Sequence, residues 1–336
     1  MRSYNSELTD TINLVSNKQT DQALKNLESN NAGSDKDLLY FFEKGELLRL
    51  NTRYEDSLST WLEADHKVQE WESEAKIRMG QIAEDIGSVL VNDKVRRYDG
   101  HDYEKVMLST QSTVDHLLQG DWDLARIEIK KTHEREAFIE ELNAKETEQV
   151  EEQSKAKGVT ATFKTLNGYP VQSLDTPEVN NLKNGYQSAY SHYLAGFVYE
   201  ALNELSLAAP GYRKAVELVP NNPQLEEGLA GLDNRIRKRT PNQTDVLFAV
   251  ESGVAPSLSS VTIPLPIMVS NIGVVPISFP VINSDPTRTI APASLSLDGK
   301  QDLPLTTITS IDTMSRRALK DDMPGIIFRG VLRATA

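Results

Sequence analysis

Six residues between Tyr190 and Pro220 constrain the fold more than any others in the chain. Gly196, Tyr199, Ala208, Tyr212, Ala215 and Pro220 stand at the offsets of two antiparallel helices that touch through small residues. Large apolar residues in such a pair pack onto the next pair, in a unit of about 34 residues. Gly45, Leu48, Tyr54, Ser57, Trp61 and Ala64 repeat the arrangement, with a small residue, an aromatic and another small residue in the second helix. Two partial sets remain, Gly120 with Trp122 and Ala125, and Lys18 with Ala23 and Leu27. Between Gly45 and Gly196 the copies are irregularly spaced, which predicts a repeat-like array with an extended central helical pair rather than a uniform superhelix.

These offsets are those of tetratricopeptide repeats, and they fill only part of the chain. Residues 241–336 hold 10 of the 15 prolines and carry 8 acidic against 7 basic residues, which leaves an acidic excess of 12 on residues 1–240. Up to about Arg239 apolar residues recur at helical spacing; beyond Thr240 they come in short β-branched runs broken by proline and glycine. The reading is α+β: a tetratricopeptide-like α-helical array over residues 1–240, followed by a small β-rich domain over 241–336. The expected strands are Val246–Val250, Val261–Pro266, Val275–Val281, Ala293–Leu297 and Leu305–Ile308, with prolines that suit edge strands. Past Asp312 helical spacing returns, and the apolar face of Ile326, Ile327, Val331 and Leu332 stops so abruptly at Ala336 that a truncated end is expected.

The segment from Trp122 to Lys157 is predicted as one long helix whose apolar stripe fades toward Glu151, leaving its far end solvated. Gly158–Asn180 reads as a connection with a turn at Gly168-Tyr169-Pro170. A helix restarts at Pro177 behind the N-cap Thr176.

Composition removes several classes of function. Cysteine is absent, so disulfides, thiolate nucleophiles and Cys-ligated zinc are excluded. A net charge of −13, with no basic run to offset it, disfavours nucleic acid and anionic membrane surfaces. No stretch is long and apolar enough to span a bilayer. His66, His101, His116, His133 and His192 show no paired metal spacing. No nucleophile elbow, Walker loop or dinucleotide fingerprint occurs, so no catalytic residue, metal ligand or cofactor is assigned. The run His101-Asp102-Tyr103-Glu104 is expected on the surface, since four adjacent helical residues point in different directions.

The first helix of each repeat lines the concave side of such an array. That places Phe42, Glu46 and Arg49 on one stretch of it and Tyr190, Tyr193, Phe197 and Glu200 on another. They read either as a partner-binding groove of aromatics and charges, or as aromatics packed beneath neighbouring helices, the commoner fate of aromatics at helical spacing. Asn181-Leu182-Lys183-Asn184-Gly185-Tyr186 reads either as a shaper of that groove or as turn and capping chemistry.

The order Val91-Asn92-Asp93, Tyr98-Asp99-Gly100, Tyr103-Glu104, Gly120-Asp121-Trp122 with Ala125-Arg126-Ile127-Glu128, Tyr193–Glu200 and Gly253-Val254-Ala255-Pro256 resembles an uncharacterised family of bacterial outer-membrane lipoproteins. The resemblance extends over nearly the whole chain. It implies a periplasm-facing protein anchored to the outer membrane through an N-terminal lipidated cysteine that this chain lacks. It also implies no known catalysis, and genes often found beside a lipoprotein activator of cell-wall synthases. The expected function is a non-catalytic periplasmic adaptor that binds an envelope protein through the helical groove. Two alternatives stand beside it: a glycan-binding or glycan-cleaving protein of the cell wall, which would need two carboxylates about 5–10 Å apart in a cleft, and a structural subunit of an envelope assembly.

Overall fold

The computed structural model describes residues 4–82, 98–240, 242–267, 273–283, 294–296, 299 and 302–335. Four helical hairpins form the first part: α1 (Tyr4–Ser16) with α2 (Thr20–Asn30), α3 (Leu38–Leu50) with α4 (Tyr54–Ile82), α5 (Asp102–Leu118) with α6 (Trp122–Lys157), and, after the five-residue α7 (Pro177–Asn181), α8 (Ala189–Ala201) with α9 (Leu205–Leu218). Short helices α10 (Pro223–Ala230) and α11 (Leu232–Lys238) follow. Capping explains several starts: Asp37 accepts from Tyr40 N, Thr176 from Val179 N ahead of Pro177, and Asn222 from Gln224 N and Leu225 N ahead of Pro223, each satisfying an orphan donor of a first turn.

One turn joins all four hairpins. Lys18, Thr52, Gly120 and Asn203 each take a left-handed conformation. In each case that residue's N–H and the next one's reach back to the end of the preceding helix, as Thr52 N to Arg49 O and Arg53 N to Leu48 O, or Asn203 N to Glu200 O and Glu204 N to Tyr199 O. This is the paired closure of a Schellman C-cap. Counted from that residue, the same positions are buried in every hairpin. Seven back stand Thr11, Gly45, Thr113 and Gly196; five on, Ala23, Ser57, Ala125 and Ala208; nine on, Leu27, Trp61, Ile129 and Tyr212. Small residues therefore meet where the helices cross, and the large residue nine on covers the slot. A Cβ on Gly45 would fall inside the Trp61 indole, and one on Gly196 would lie 2.7 Å from the Tyr212 ring. The chain is a tetratricopeptide-like helical array followed by a small β part.

The C-terminal part contains a ten-residue antiparallel hairpin, β1 (Leu258–Ile267) with β2 (Gly273–Ile282), a three-residue pair, β3 (Ser294–Ser296) with β4 (Asp302–Pro304), and α12 (Ile311–Thr335). Pro264 faces Pro276 in the ladder, which a two-stranded sheet tolerates because each strand has a free edge. Ile263, Phe279, Val281 and Ile282 pack against Leu319, Met323 and Ile327 of α12 and against Leu166, Tyr169 and Leu174 of the 158–176 connection. The connection is thus part of a core rather than an idle loop, and Tyr169 Oη donates to Pro280 O at 2.9 Å. Arg316 clasps the unit. Its guanidinium donates to Ser173 O and Ile282 O, both at 3.1 Å, and to the Asp312 carboxylate.

Two expected strands are absent. Val246–Val250 belongs to a segment without secondary structure or ladder partners, and Leu305–Ile308 is irregular, the pairing falling instead on Asp302–Pro304. β-branched content alone selects extended backbone, and a strand also needs a neighbour. Ala293 and Leu297, at the ends of another expected strand, lie outside the described residues, as does Val91-Asn92-Asp93. The run at His101 is less exposed than expected. Tyr103 is buried, the His101 ring stacks on it, and Glu104 accepts from His101 N at 2.6 Å, closing the first turn of α5.

Candidate functional site

The first helices of the last three hairpins, α3, α5 and α8, lie side by side. Leu38 of α3 and Leu108 of α5 share a core cluster, and Thr110 of α5 meets Ser191 of α8 at 2.8 Å between hydroxyl oxygens. Across this face runs the irregular segment 242–257, which joins α11 to β1. Leu247 packs on the cluster that holds Tyr190, Tyr193 and Leu194. Glu251 accepts from Gln111 Nε2 of α5 at 2.8 Å and pairs with Arg49 of α3. Arg49 also holds Glu46 through two bonds of 2.8 Å, the bidentate geometry that suits a guanidinium on a carboxylate.

Of the seven residues expected to line a groove, Glu46, Arg49 and Tyr190 gather around Glu251. Burial raises the Tyr190 hydroxyl pKa, and Glu251 adds to the rise against an opposing Arg49. Burial likewise raises Glu46, although Arg49 pulls it down. Burial opposes charge on the Arg49 guanidinium, but Glu46 and Glu251 together outweigh it and hold the group still more firmly charged.

The other four sit differently. Phe42 packs with Leu38, Trp61 and Tyr98 beside the turn at Gly100. Tyr193 lies edge-on to Tyr212 at 5.1 Å and against Gly228 of α10. Glu200 is buried, accepts from Tyr212 Oη at 2.7 Å and holds Arg235 of α11 through two bonds of 2.9 Å, so it has no free carboxylate to offer a ligand. Phe197 is half-buried on α8. Asn184 Oδ1 accepts from Tyr186 N and Gln187 N, which is turn chemistry.

The residues that sequence patterns did not single out are Gln111, Asp115, Leu247 and Glu251. Asp115, one turn beyond Gln111 on α5, is completely buried. Burial lifts its carboxyl to about 7; Ser57 and Arg49 oppose the rise, while Glu46 and Glu251 add to it. The available signal was a helix face too polar for its burial: Lys105, Ser109, Thr110, Ser112, Thr113 and Asp115 are all buried on α5. Among the described residues no three His, Asp or Glu side chains converge to hold one metal ion. No helix among them is long and apolar enough to cross a membrane.

The sequence matches no family model and no curated protein. Among solved structures it is similar to the TPR2AB domain of yeast Sti1 in its pHSP90 complex, at 13% identity and a TM-score of 0.28, over 69% of this chain and 70% of that one. A tetratricopeptide repeat protein from Parabacteroides merdae aligns over 69% of this chain and 99% of its own, at 12% identity and a TM-score of 0.18. What makes the array repeat-like is its own packing at Gly45 and Gly196.

Proposed function

We propose that this chain is a non-catalytic interaction scaffold that receives an extended segment of a partner protein along the face of α3, α5 and α8. One observation carries the reading: the chain's own segment 242–257 already lies there without regular secondary structure, apolar at Leu247 and charged at Glu251. A face that accepts one non-helical segment through an aromatic cluster and a charge pair has the chemistry to accept another, in extended form. The resemblance to outer-membrane lipoproteins supports a periplasmic setting with an envelope protein as partner, in or near the machinery of cell-wall synthesis. A photo-crosslinking amino acid at Tyr190 or Phe197 of the full-length, membrane-anchored protein, irradiated in intact cells, should capture one envelope protein. A matched probe at Ile77, exposed on α4, should not. Equal capture at both places, or none at either, would remove the groove from the mechanism.

A further inference from the structure

Beneath Glu251 the face of α5 holds an imbalance of hydrogen-bonding groups. Gln111 Oε1 and both carboxylate oxygens of Asp115 are buried and accept no hydrogen bond. None of the nearby donors bonds to them. The Ser57 hydroxyl donates to Gly45 O at 2.9 Å, Gln111 Nε2 to Glu251, and Arg49 Nε and Nη2 to Glu46 and Glu251. Gln111 and Asp115 are four residues apart, so their side chains share one face of the helix. The charges lean the same way, since Glu46, Asp115 and Glu251 surround a single Arg49. Buried acceptors without donors are rare and destabilising, and here three occur together in a site whose carboxyl groups outnumber its one guanidinium.

Resting on the groove reading above, we propose that Gln111, Asp115, Glu46 and Glu251 form a subsite for one basic side chain, arginine or lysine, of the extended partner segment. What the site lacks is donors and positive charge, and those groups bring both. A guanidinium presents five N–H donors in a plane, enough for the two Asp115 oxygens and Gln111 Oε1 together. A divalent metal fits less well, because Arg49 shares the site and among the described residues no three such side chains close on one point that could hold an ion. Glu251 closes the subsite on its solvent side, with a side chain 36% exposed, and supplies the carboxylate that an entering basic residue meets first. The acidic excess of residues 1–240 attracts such a partner at longer range.

A phage-displayed library of random dodecapeptides, selected on the purified full chain, tests the assignment. Selected peptides should share an arginine or lysine at one position. The strongest should bind Asp115→Asn about tenfold more weakly, the usual effect of losing one charge-assisted hydrogen bond, and its arginine→citrulline analogue should lose a similar factor on the native protein. Glu251→Gln, on an exposed segment that cannot carry the fold, should weaken the same peptide severalfold, which guards against a folding defect in the buried variant. An acidic or purely apolar consensus, or binding unchanged in both variants, overturns the basic subsite while leaving the groove in place. Failure to enrich any peptide overturns the subsite, and together with an empty crosslink at Tyr190 it removes the groove as well.

Discussion

Replacing Gly211 by alanine tests whether close backbone contact holds the last hairpin together. The new Cβ would lie 2.7 Å from Gly196 N, 2.9 Å from His192 O and 3.0 Å from Gly196 Cα. All three atoms are backbone, so no side chain can rotate aside and α8 must move away from α9. Overpacking costs about 1–3 kcal/mol, and the rigid obstacle puts this case near 3. Alanine returns about 1 kcal/mol through helix propensity, leaving a net loss of about 2 kcal/mol. In a chain of 336 residues that corresponds to a melting temperature lower by roughly 3 °C. Gly80, in α4 with nothing within 4 Å of its added Cβ, supplies the control. There the same substitution should only gain, by up to about 1 kcal/mol. Thermal unfolding followed by far-ultraviolet circular dichroism compares the two. If Gly211→Ala melts at or above the parent, close contact through small residues is not what holds α8 to α9.

Arg235→Met strips the buried Glu200 carboxylate of its guanidinium and should cost about 3 kcal/mol; adding Glu200→Gln should recover most of it in a double-mutant cycle of urea midpoints. Arg316→Met leaves Ser173 O and Ile282 O without their donor and should cost about 2 kcal/mol, read as faster amide exchange in β1 and β2 with exchange in α3 unchanged. Asp115 titrates at about 7 when folded against about 4 in an ordinary carboxyl, so it is protonated in both states below about pH 4, and its stabilising contribution is lost as pH rises through 7. Asp115→Asn should therefore be near neutral at pH 4 and stabilising by about 2 kcal/mol at pH 8, once solvent screening is allowed for. A variant equally stable or less stable than the parent at pH 8 would contradict the buried, donorless carboxylate.

The last hairpin was legible because its glycine and tyrosines occupy slots that few other residues fill. The other three follow the same register with substitutes. Threonine stands for glycine at Thr11 and Thr113, and Leu27 and Ile129 stand for the aromatic. Their common mark is the left-handed turn residue, and a search keyed to glycine finds it only at Gly120, because Lys18, Thr52 and Asn203 adopt that conformation without being glycine. Measured from those residues the spacing is less irregular than Gly45 and Gly196 suggest, since Lys18 and Thr52 are 34 residues apart and Thr52 and Gly120 twice that. The strands at Val261 and Val275 were legible through β-branched alternation, while Val246–Val250 carried the same signal without a partner. The groove was half legible. Helical spacing placed Arg49 and Tyr190 on first helices, but Glu251 reaches them from 202 residues beyond Arg49, a contact that no local pattern encodes.

The buried polarity of the middle hairpin, costly as packing, makes sense as register control. Arg135 of α6 donates to Asp65 Oδ1 at 2.7 Å and Glu72 Oε1 at 2.9 Å on α4, and to Lys105 O at 3.0 Å and Ser109 Oγ at 2.9 Å on α5. An apolar seam between three long helices would tolerate a slip of one turn, because a leucine or valine one turn away packs almost as well. A guanidinium bonded on two sides does not tolerate it, since any slip leaves buried charges unpaired. The same helix, α5, carries Gln111 and Asp115 two and six residues beyond Ser109. Whatever fixes α5 against α4 and α6 therefore fixes the donorless acceptors against Glu46 and Arg49 of α3. The polar network gives up packing energy in the centre of the array and in return holds the one face on which segment 242–257 rests.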